Sequence, residues 1–177
     1  KETCGTLYPV KGFRLGTTKA GVKKPDRRDL VIMEAASGST IAGVFTLNAF
    51  CAAPVHICKD HLQQTGGNAQ GGVYLITNTG YANAGTGEPG MQNARAVRAA
   101  LADKTGVSLQ NTLPFSTGVI GEPLPVERIV NGIPGALSAL SEEGWNEAAL
   151  GIMTTDTRPK GASVQLQLEG KTVTITG

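Results

Sequence analysis

Residues 115–125 read FSTGVIGEPLP, and the triple Ser116-Thr117-Gly118 sets two hydroxyls beside a glycine. A Thr hydroxyl and a Gly main-chain amide that point the same way are two convergent donors, the arrangement an oxyanion hole uses in acyl transfer. Gly118 allows the backbone twist that aims an N–H outward. The plain alternative is a hydroxyl-bearing turn ahead of a proline-rich segment. A second cluster, MTTDTRPK at residues 153–160, brings three threonines and an aspartate to the end of an expected helix. Such groups could hold the amine and carboxylate of an amino acid, or could simply close the helix. A third, KAGVKKPDRR at residues 19–28, carries five cations around Pro25. It reads either as a solvated loop or as a patch that steers an anionic substrate.

Other chemistries fit less well. GTGEPG at residues 85–90 matches G-x-G-x-x-G between a strand and a helix. Its glycines come several residues after the strand's expected end at Asn78, and Asp103 falls inside the helix rather than at a following strand end. A dinucleotide site therefore ranks below a plain glycine-rich loop. Cys51, His56, Cys58 and His61 are metal ligands by type, but their spacing fits no usual zinc pattern, so no metal site is expected. No Ser-His-Asp set is evident, and both histidines lie in the first third of the chain. The carboxylates form no obvious acid/base pair. The sequence offers a receptacle without evident catalytic machinery of its own.

The elements that must carry these groups follow from periodicity and punctuation. Residues 30–34 (LVIME), 39–46 (STIAGVFT), 54–57 (PVHI) and 71–78 (GGVYLITN) read as strands. Residues 89–104 read as a helix, with Met91, Ala94, Val97 and Leu101 on one face, Pro89 in the first turn and Gly106 at the stop. Residues 107–115 alternate too weakly to assign. Residues 126–130 and 135–140 read as short helices, the second opened by Pro134. A further helix runs from Ser141 to about Ile152, its first-turn acids complementing the dipole. Val164, Leu166 and Leu168 alternate with glutamines before KTVTIT, predicting a terminal hairpin. The pattern is α/β with antiparallel pieces, in one domain spanning residues 1–177.

Composition agrees. With 177 residues, 40% hydrophobic, the chain can bury a core without staples. Its 24 glycines suit a site built from main-chain groups. A net charge of +2 carries no basic stripe with interleaved aromatics, which argues against nucleic acid. Three widely spaced cysteines point to a reducing compartment. No apolar run approaches a membrane span, and no secretory segment is apparent at the start. The cytoplasm is the expected location.

Five segments, AGVKKPDRRDL, AGVFTLNAFCAAPV, ITNTGYANAGTGEPG, STGVIGEPLP and IMTTDTRPK, lie in this order between residues 20 and 160. Together they resemble the ornithine acetyltransferase family of arginine biosynthesis, also called bifunctional glutamate N-acetyltransferase, and more narrowly its α chain. The resemblance implies an α/β layered sandwich of mixed and antiparallel sheets with helices, an N-terminal-nucleophile (Ntn-like) ornithine acetyltransferase fold shared with a second chain. It implies a precursor that cuts itself before a threonine. That threonine heads the β chain and acts as nucleophile, activated by its own α-amine. Acetyl would pass from N2-acetyl-L-ornithine to the threonine and then to L-glutamate. Carried over residue by residue, Thr117 and Gly118 occupy the oxyanion-hole pair, and Thr154 a substrate-contacting position. No metal or cofactor is implied, with acetyl-CoA open as an alternative donor. The expected assembly is an α₂β₂ heterotetramer. The family's segment ahead of the cut would begin just after Gly177, so the chain is expected to stop short of the processing site. Two positions depart from the family pattern: Tyr81 stands where Asn is usual, and Thr79 where Ser is usual. A self-cleaving amidase or aminopeptidase chain, and a nucleotide-binding domain using GTGEPG, are the competing readings.

Overall fold

The structure, a computed structural model, describes residues 4–177. Along the chain come β1 (Phe13–Thr18), β2 (Leu30–Ala35), the short β3 (Ser39–Thr40), α1 (Ala53–Thr65) and the short β4 (Asn68–Ala69). Next are β5 (Val73–Tyr81), α2 (Gly87–Thr105), β6 (Thr112–Val119), α3 (Val126–Ser138) and α4 (Trp145–Ile152). The hairpin of β7 (Ser163–Leu168) and β8 (Lys171–Thr176) closes it.

Four strands form the central sheet in the order β1-β2-β5-β6. β1, β2 and β5 pair antiparallel, whereas β5 and β6 are parallel and are joined by α2. A parallel pair needs such a crossover, since a tight turn cannot reverse the chain twice. Side-chain alternation divides the core between two faces. Leu30, Ile32 and Ile76 share one face and pack with Val97 and Leu101 of α2 and Ile129 and Ile133 of α3. On the other face Leu15 and Val31 meet Ala148 and Trp145 of α4. There Val73 and Leu113 meet Cys58 of α1. Each aliphatic side chain fully removed from water contributes about 1.5–3 kcal/mol. Helices on both faces therefore fix the sheet and everything mounted on its ends.

Where the structure departs from the sequence expectations, local cues were outweighed by packing. Residues 54–57 are not a strand but the first turns of α1, where Pro54 needs no N–H. The helix's buried residues Ala53, Ile57, Cys58 and His61 follow helical spacing, which four residues are too few to reveal. Of residues 39–46 only Ser39 and Thr40 pair, with Ala69 and Asn68. Val44 and Leu47 beyond them are fully exposed. Pro134 opens no new helix; it sits inside the single α3, costing one backbone hydrogen bond while Ile133 and Ala136 stay buried. Residues 141–144 precede α4 rather than begin it. Leu15 and Ser141 exchange backbone hydrogen bonds (2.9 and 3.1 Å), and Glu142 accepts from the Gly12 N–H (2.8 Å). β1 carried no recognised cue. Its Gly16 lies under α3, where an added Cβ would come within 2.1 Å of the Ala136 carbonyl oxygen.

Candidate active site

Four pieces of chain converge at one end of the sheet. They are the C-terminal ends of β5 and β6, the β1–β2 connection (residues 19–29), and the residues just after α4. In open α/β sheets the carboxyl ends of parallel strands are where ligands bind. A cleft of about 410 Å³ opens there, and Thr79, Thr117, Gly118 and Thr154 all line it. The two threonine clusters, far apart in sequence, thus face one space.

The Ser-Thr-Gly triple is strand rather than bend. Ser116, Thr117 and Gly118 pair in register with Asn78, Thr79 and Gly80, and the bend follows at residues 120–122. The two hydroxyls have different fates. Ser116 donates to Asn78 Oδ1 (2.6 Å), while Asn78 Nδ2 donates to the Tyr81 carbonyl (2.9 Å). Ser116 therefore braces the strand ends. The half-buried Thr117 makes no side-chain hydrogen bond among the described residues and is the hydroxyl left for the cleft.

Close approach explains the glycines here. Gly118 has φ +135°, and an added Cβ would lie 2.3 Å from the Gly80 carbonyl carbon and 2.6 Å from its oxygen. Gly80, at φ +109°, admits the Lys23 side chain, whose Cβ would be 2.8 Å from a Cβ at position 80. These contacts draw both strand ends and the basic loop together.

The loop is tied down by the buried Asp29. Its carboxylate accepts from the N–H groups of Ala20 (2.7 Å) and Val22 (2.6 Å), and its carbonyl accepts from the Thr79 N–H (2.9 Å). Arg128 adds bonds to the carbonyls of Gly21 (3.3 Å) and Val22 (3.2 Å). Asp29 is 2% exposed, so removing its carboxylate strands two amide donors. Each such buried donor costs about 1–3 kcal/mol. Asp29→Ala should therefore destabilise the protein by about 3 kcal/mol, read as a shifted urea midpoint at unchanged m-value. A loss below about 1 kcal/mol would mean the loop is held by other contacts.

The five cations of that loop are not equivalent. Arg28 pairs with Glu147 (2.6 Å) and donates to Thr17 Oγ1 (2.8 Å). Lys23 lies 3.5 Å from Glu122, with its ammonium 5.0 Å from the Tyr81 ring centroid. Lys24 and Arg27 line the cleft and have no carboxylate partner among the described residues. Thr79 is a buried part of the wall, whereas Tyr81 touches the cleft only through Lys23.

Among the described residues no Cys, His or Glu lines this cleft, and the one carboxylate that does, Asp29, is committed to backbone amides. The walls supply hydrogen-bond donors and positive charge, and among the described residues none of the lining threonine hydroxyls has a histidine or free carboxylate beside it to activate it. They can bind an anion and stabilise a developing oxyanion, provided that the attacking group comes from elsewhere.

The remaining candidates lie apart. Cys51 donates to the Asn48 carbonyl (2.9 Å), His56 is exposed, and Cys58 and His61 face the core from α1. Burial pushes the Cys58 thiol up to about 11 and lowers the His61 imidazole below its usual range. Among the described residues no three His, Cys, Asp or Glu side chains converge as metal ligands. The GTGEPG loop is braced by its own neighbours and lies away from the cleft. Buried Asn83 donates to the Gly90 carbonyl (2.9 Å) and accepts from Thr86 (2.9 Å). A Cβ at Gly90 would meet Thr86 Oγ1 at 1.9 Å, so this glycine is needed for close packing at the start of α2, and Gly85, Thr86 and Gly87 line a separate cavity of about 250 Å³ with Phe50 and His56. Among the described residues no helix is long and apolar enough to cross a membrane.

Sequence comparison matches residues 14–177 to the ArgJ family. The chain is 59% identical over 172 residues to the arginine biosynthesis bifunctional protein ArgJ of Pseudomonas fluorescens (strain Pf0-1). It is 57% identical over 171 residues to the protein of that name from Pseudomonas syringae pv. tomato. Each match covers 97% of this chain and 41% of the relative, so the chain spans about two-fifths of the length of these curated relatives. Among solved structures it resembles the arginine biosynthesis bifunctional protein ArgJ of Bacillus halodurans, with TM-score 0.79 at 33% identity, covering 99% of this chain and 87% of that one. It also resembles the ornithine acetyltransferase of Mycobacterium tuberculosis complexed with ornithine, with TM-score 0.79 at 32% identity, covering 99% and 91%.

Proposed function

The chain belongs to the ArgJ family, and on that premise we propose that it is the oxyanion-stabilising α chain of a glutamate N-acetyltransferase of arginine biosynthesis. The single observation that carries this reading is a cleft lined by Thr117, Gly118 and Thr154 in which, among the described residues, no hydroxyl has an activating base beside it. The nucleophile in this proposal is the N-terminal threonine of a β chain released from the same precursor. Residues 1–177 form one domain of an α₂β₂ enzyme acting in the cytoplasm.

In the first half-reaction the β-chain threonine oxygen attacks the acetyl carbonyl of N2-acetylornithine, and its proton passes to the β-chain α-amine. The carbonyl oxygen takes up the negative charge, facing the Thr117 hydroxyl and the Gly118 N–H. Collapse of this intermediate breaks the C–N bond, and the ornithine amine leaves with the proton. In the second half-reaction the glutamate amine attacks the acetyl-threonine ester through an equivalent intermediate and restores the free threonine. Donors aimed at that oxygen lower the barrier because they bind the transition state better than the ground state. The chemistry requires no metal and no bound cofactor; acetyl-CoA enters only as an alternative acetyl donor. Tyr81 and Thr79 stand where the acyl donor or acceptor preference could be adjusted.

The test is the enzyme made from a full precursor containing this chain. Incubation with N2-acetylornithine and glutamate should yield ornithine and N-acetylglutamate in equal amounts, with an acetylated N-terminal threonine trapped when glutamate is withheld. Hydrolysis to acetate with no N-acetylglutamate formed would instead favour the amidase reading.

Thr154 has a distinct expected signature. It lines the cleft from the α4 side and is half-buried, so we assign it to the amino-acid end of the substrate. Thr154→Ala should raise KM for N2-acetylornithine by about tenfold with kcat nearly unchanged, as for loss of one hydrogen bond made equally in ground and transition states. Steady-state kinetics decide this. A fall in kcat at constant KM would move Thr154 into the transition-state machinery.

A further inference from the structure

We infer that Lys24 and Arg27 form an anion-selective entrance that favours the acetyl acceptor over the acetyl donor. The inference rests on the proposed acetyl transfer, and its basis is the unequal use of the cations in residues 19–28. Arg28 is spent on Glu147 and Thr17, and Lys23 on Glu122 and Tyr81. Lys24 and Arg27 line the cleft without an anionic partner among the described residues. Their loop is not a floppy tether. Asp29 holds it through two backbone amides, Arg128 holds it through two carbonyls, and Gly80 packs against Lys23. Two cations without an ionic partner among the described residues, on a braced loop that lines the cleft, keep a standing positive field. A cleft with low-dielectric walls focuses such a field on whatever enters.

The substrates differ in the property this field reads. At neutral pH glutamate carries two carboxylates and one ammonium, a net negative charge. N2-acetylornithine carries one carboxylate and one side-chain ammonium and is neutral overall. Ornithine, the product that must leave before glutamate binds, has two ammonium groups and is net positive. A cationic entrance attracts the acceptor, leaves the donor nearly unaffected and discourages the first product from returning. It thus biases the competition between glutamate and ornithine for the acetylated enzyme.

The experiment uses the assembled two-chain enzyme and assays each half-reaction separately. Ornithine release from N2-acetylornithine reports the first; loss of the acetyl group from acetylated enzyme on addition of glutamate reports the second. In the unmodified enzyme, kcat/KM for glutamate should fall several-fold between ~0.02 and ~0.5 M NaCl, as the Debye length shrinks from about 20 Å to about 4 Å. The first half-reaction should respond less than half as strongly. Lys24→Gln with Arg27→Gln should raise KM for glutamate by about three- to tenfold, weaken the salt dependence, and make ornithine a stronger product inhibitor. Lys24→Arg with Arg27→Lys should restore the salt dependence, because it keeps both charges. Lys104→Gln, at the far end of α2, should behave as wild type. Equal loss in both half-reactions, or a double variant whose glutamate KM and salt response match wild type, would overturn the inference while leaving acetyl transfer intact. Failure of the unmodified enzyme to transfer acetyl at all would remove the proposed function, and this inference with it.

Discussion

Thr117→Ala should cost the assembled enzyme about 10²–10³-fold in kcat, roughly 3–4 kcal/mol, the usual loss when one oxyanion donor is removed. The magnitude follows from the two hydroxyls of the triple. Ser116 is occupied by Asn78, so it cannot replace Thr117 without breaking the brace between β5 and β6. The Gly118 amide remains, which is why the loss is partial. KM for N2-acetylornithine should change little, because the proposed arrangement holds the amino-acid end of the donor elsewhere, Thr154 included. Self-cleavage also passes through a tetrahedral centre, so the two chains need to be counted on a gel before rates are compared. A fully processed Thr117→Ala enzyme whose kcat stays within about threefold of wild type would remove Thr117 from the oxyanion hole, since threefold is under 1 kcal/mol.

Gly118→Ala should be worse for a different reason. Two costs combine at this position, φ +135° and a Cβ placed 2.3 Å from the Gly80 carbonyl carbon and 2.7 Å from the Tyr81 nitrogen. The colliding atoms are backbone in a paired strand and cannot swing aside. Gly121, three residues on, supplies the comparison. It has φ +80° with nothing within 4 Å of an added Cβ, so Gly121→Ala carries strain alone, about 1–2 kcal/mol. Gly118→Ala should lose at least ~3–4 kcal/mol, because β6 must also move away from β5. The 118 amide would move with it, so surviving protein should be nearly inactive. Thermal melts of the two variants side by side decide the matter. Equal Tm shifts would mean that the strands tolerate the extra carbon and that Gly118 is needed for backbone conformation only.

Several elements were legible because their signals are local. α2 carries apolar residues at helical spacing for its full length and ends at Gly106, which adopts the left-handed cap (φ +73°). β2, most of β5 and the β7–β8 hairpin show β-branched runs between glycine-rich breaks. α1 and β1 were not legible. Pro54 suits a strand start and a helix start alike, and the choice was made by Val73 and Leu113, which gave α1 an apolar face to cover. β1 has its partner more than ten residues ahead, and nothing inside FRLGTT announces that pairing. Pro134 illustrates the opposite error. A strong local breaker was overridden because the buried face of α3 is continuous across it.

For the site, the sequence by itself determined the chemical inventory: a hydroxyl–glycine pair, a threonine cluster, a basic loop, and the lack of a nucleophile with a partnered base. Residue types carry that information wherever they end up. The family segments likewise lie in order along the chain and need no coordinates to be read. Only the tertiary structure decided which groups meet. Thr79 and Thr117 become neighbours through the parallel β5–β6 register, and Thr154 reaches them because α4 packs on Leu15 and Val31. Nor could sequence show which of two adjacent hydroxyls is free, or that Lys24 and Arg27 line the cleft while Lys23 and Arg28 are paired with carboxylates. Those outcomes depend on hydrogen bonds and ion pairs closed by residues 38, 99 and 119 positions away. Contacts at such separations exist only once burial of the core has paid the entropy of bringing their ends together.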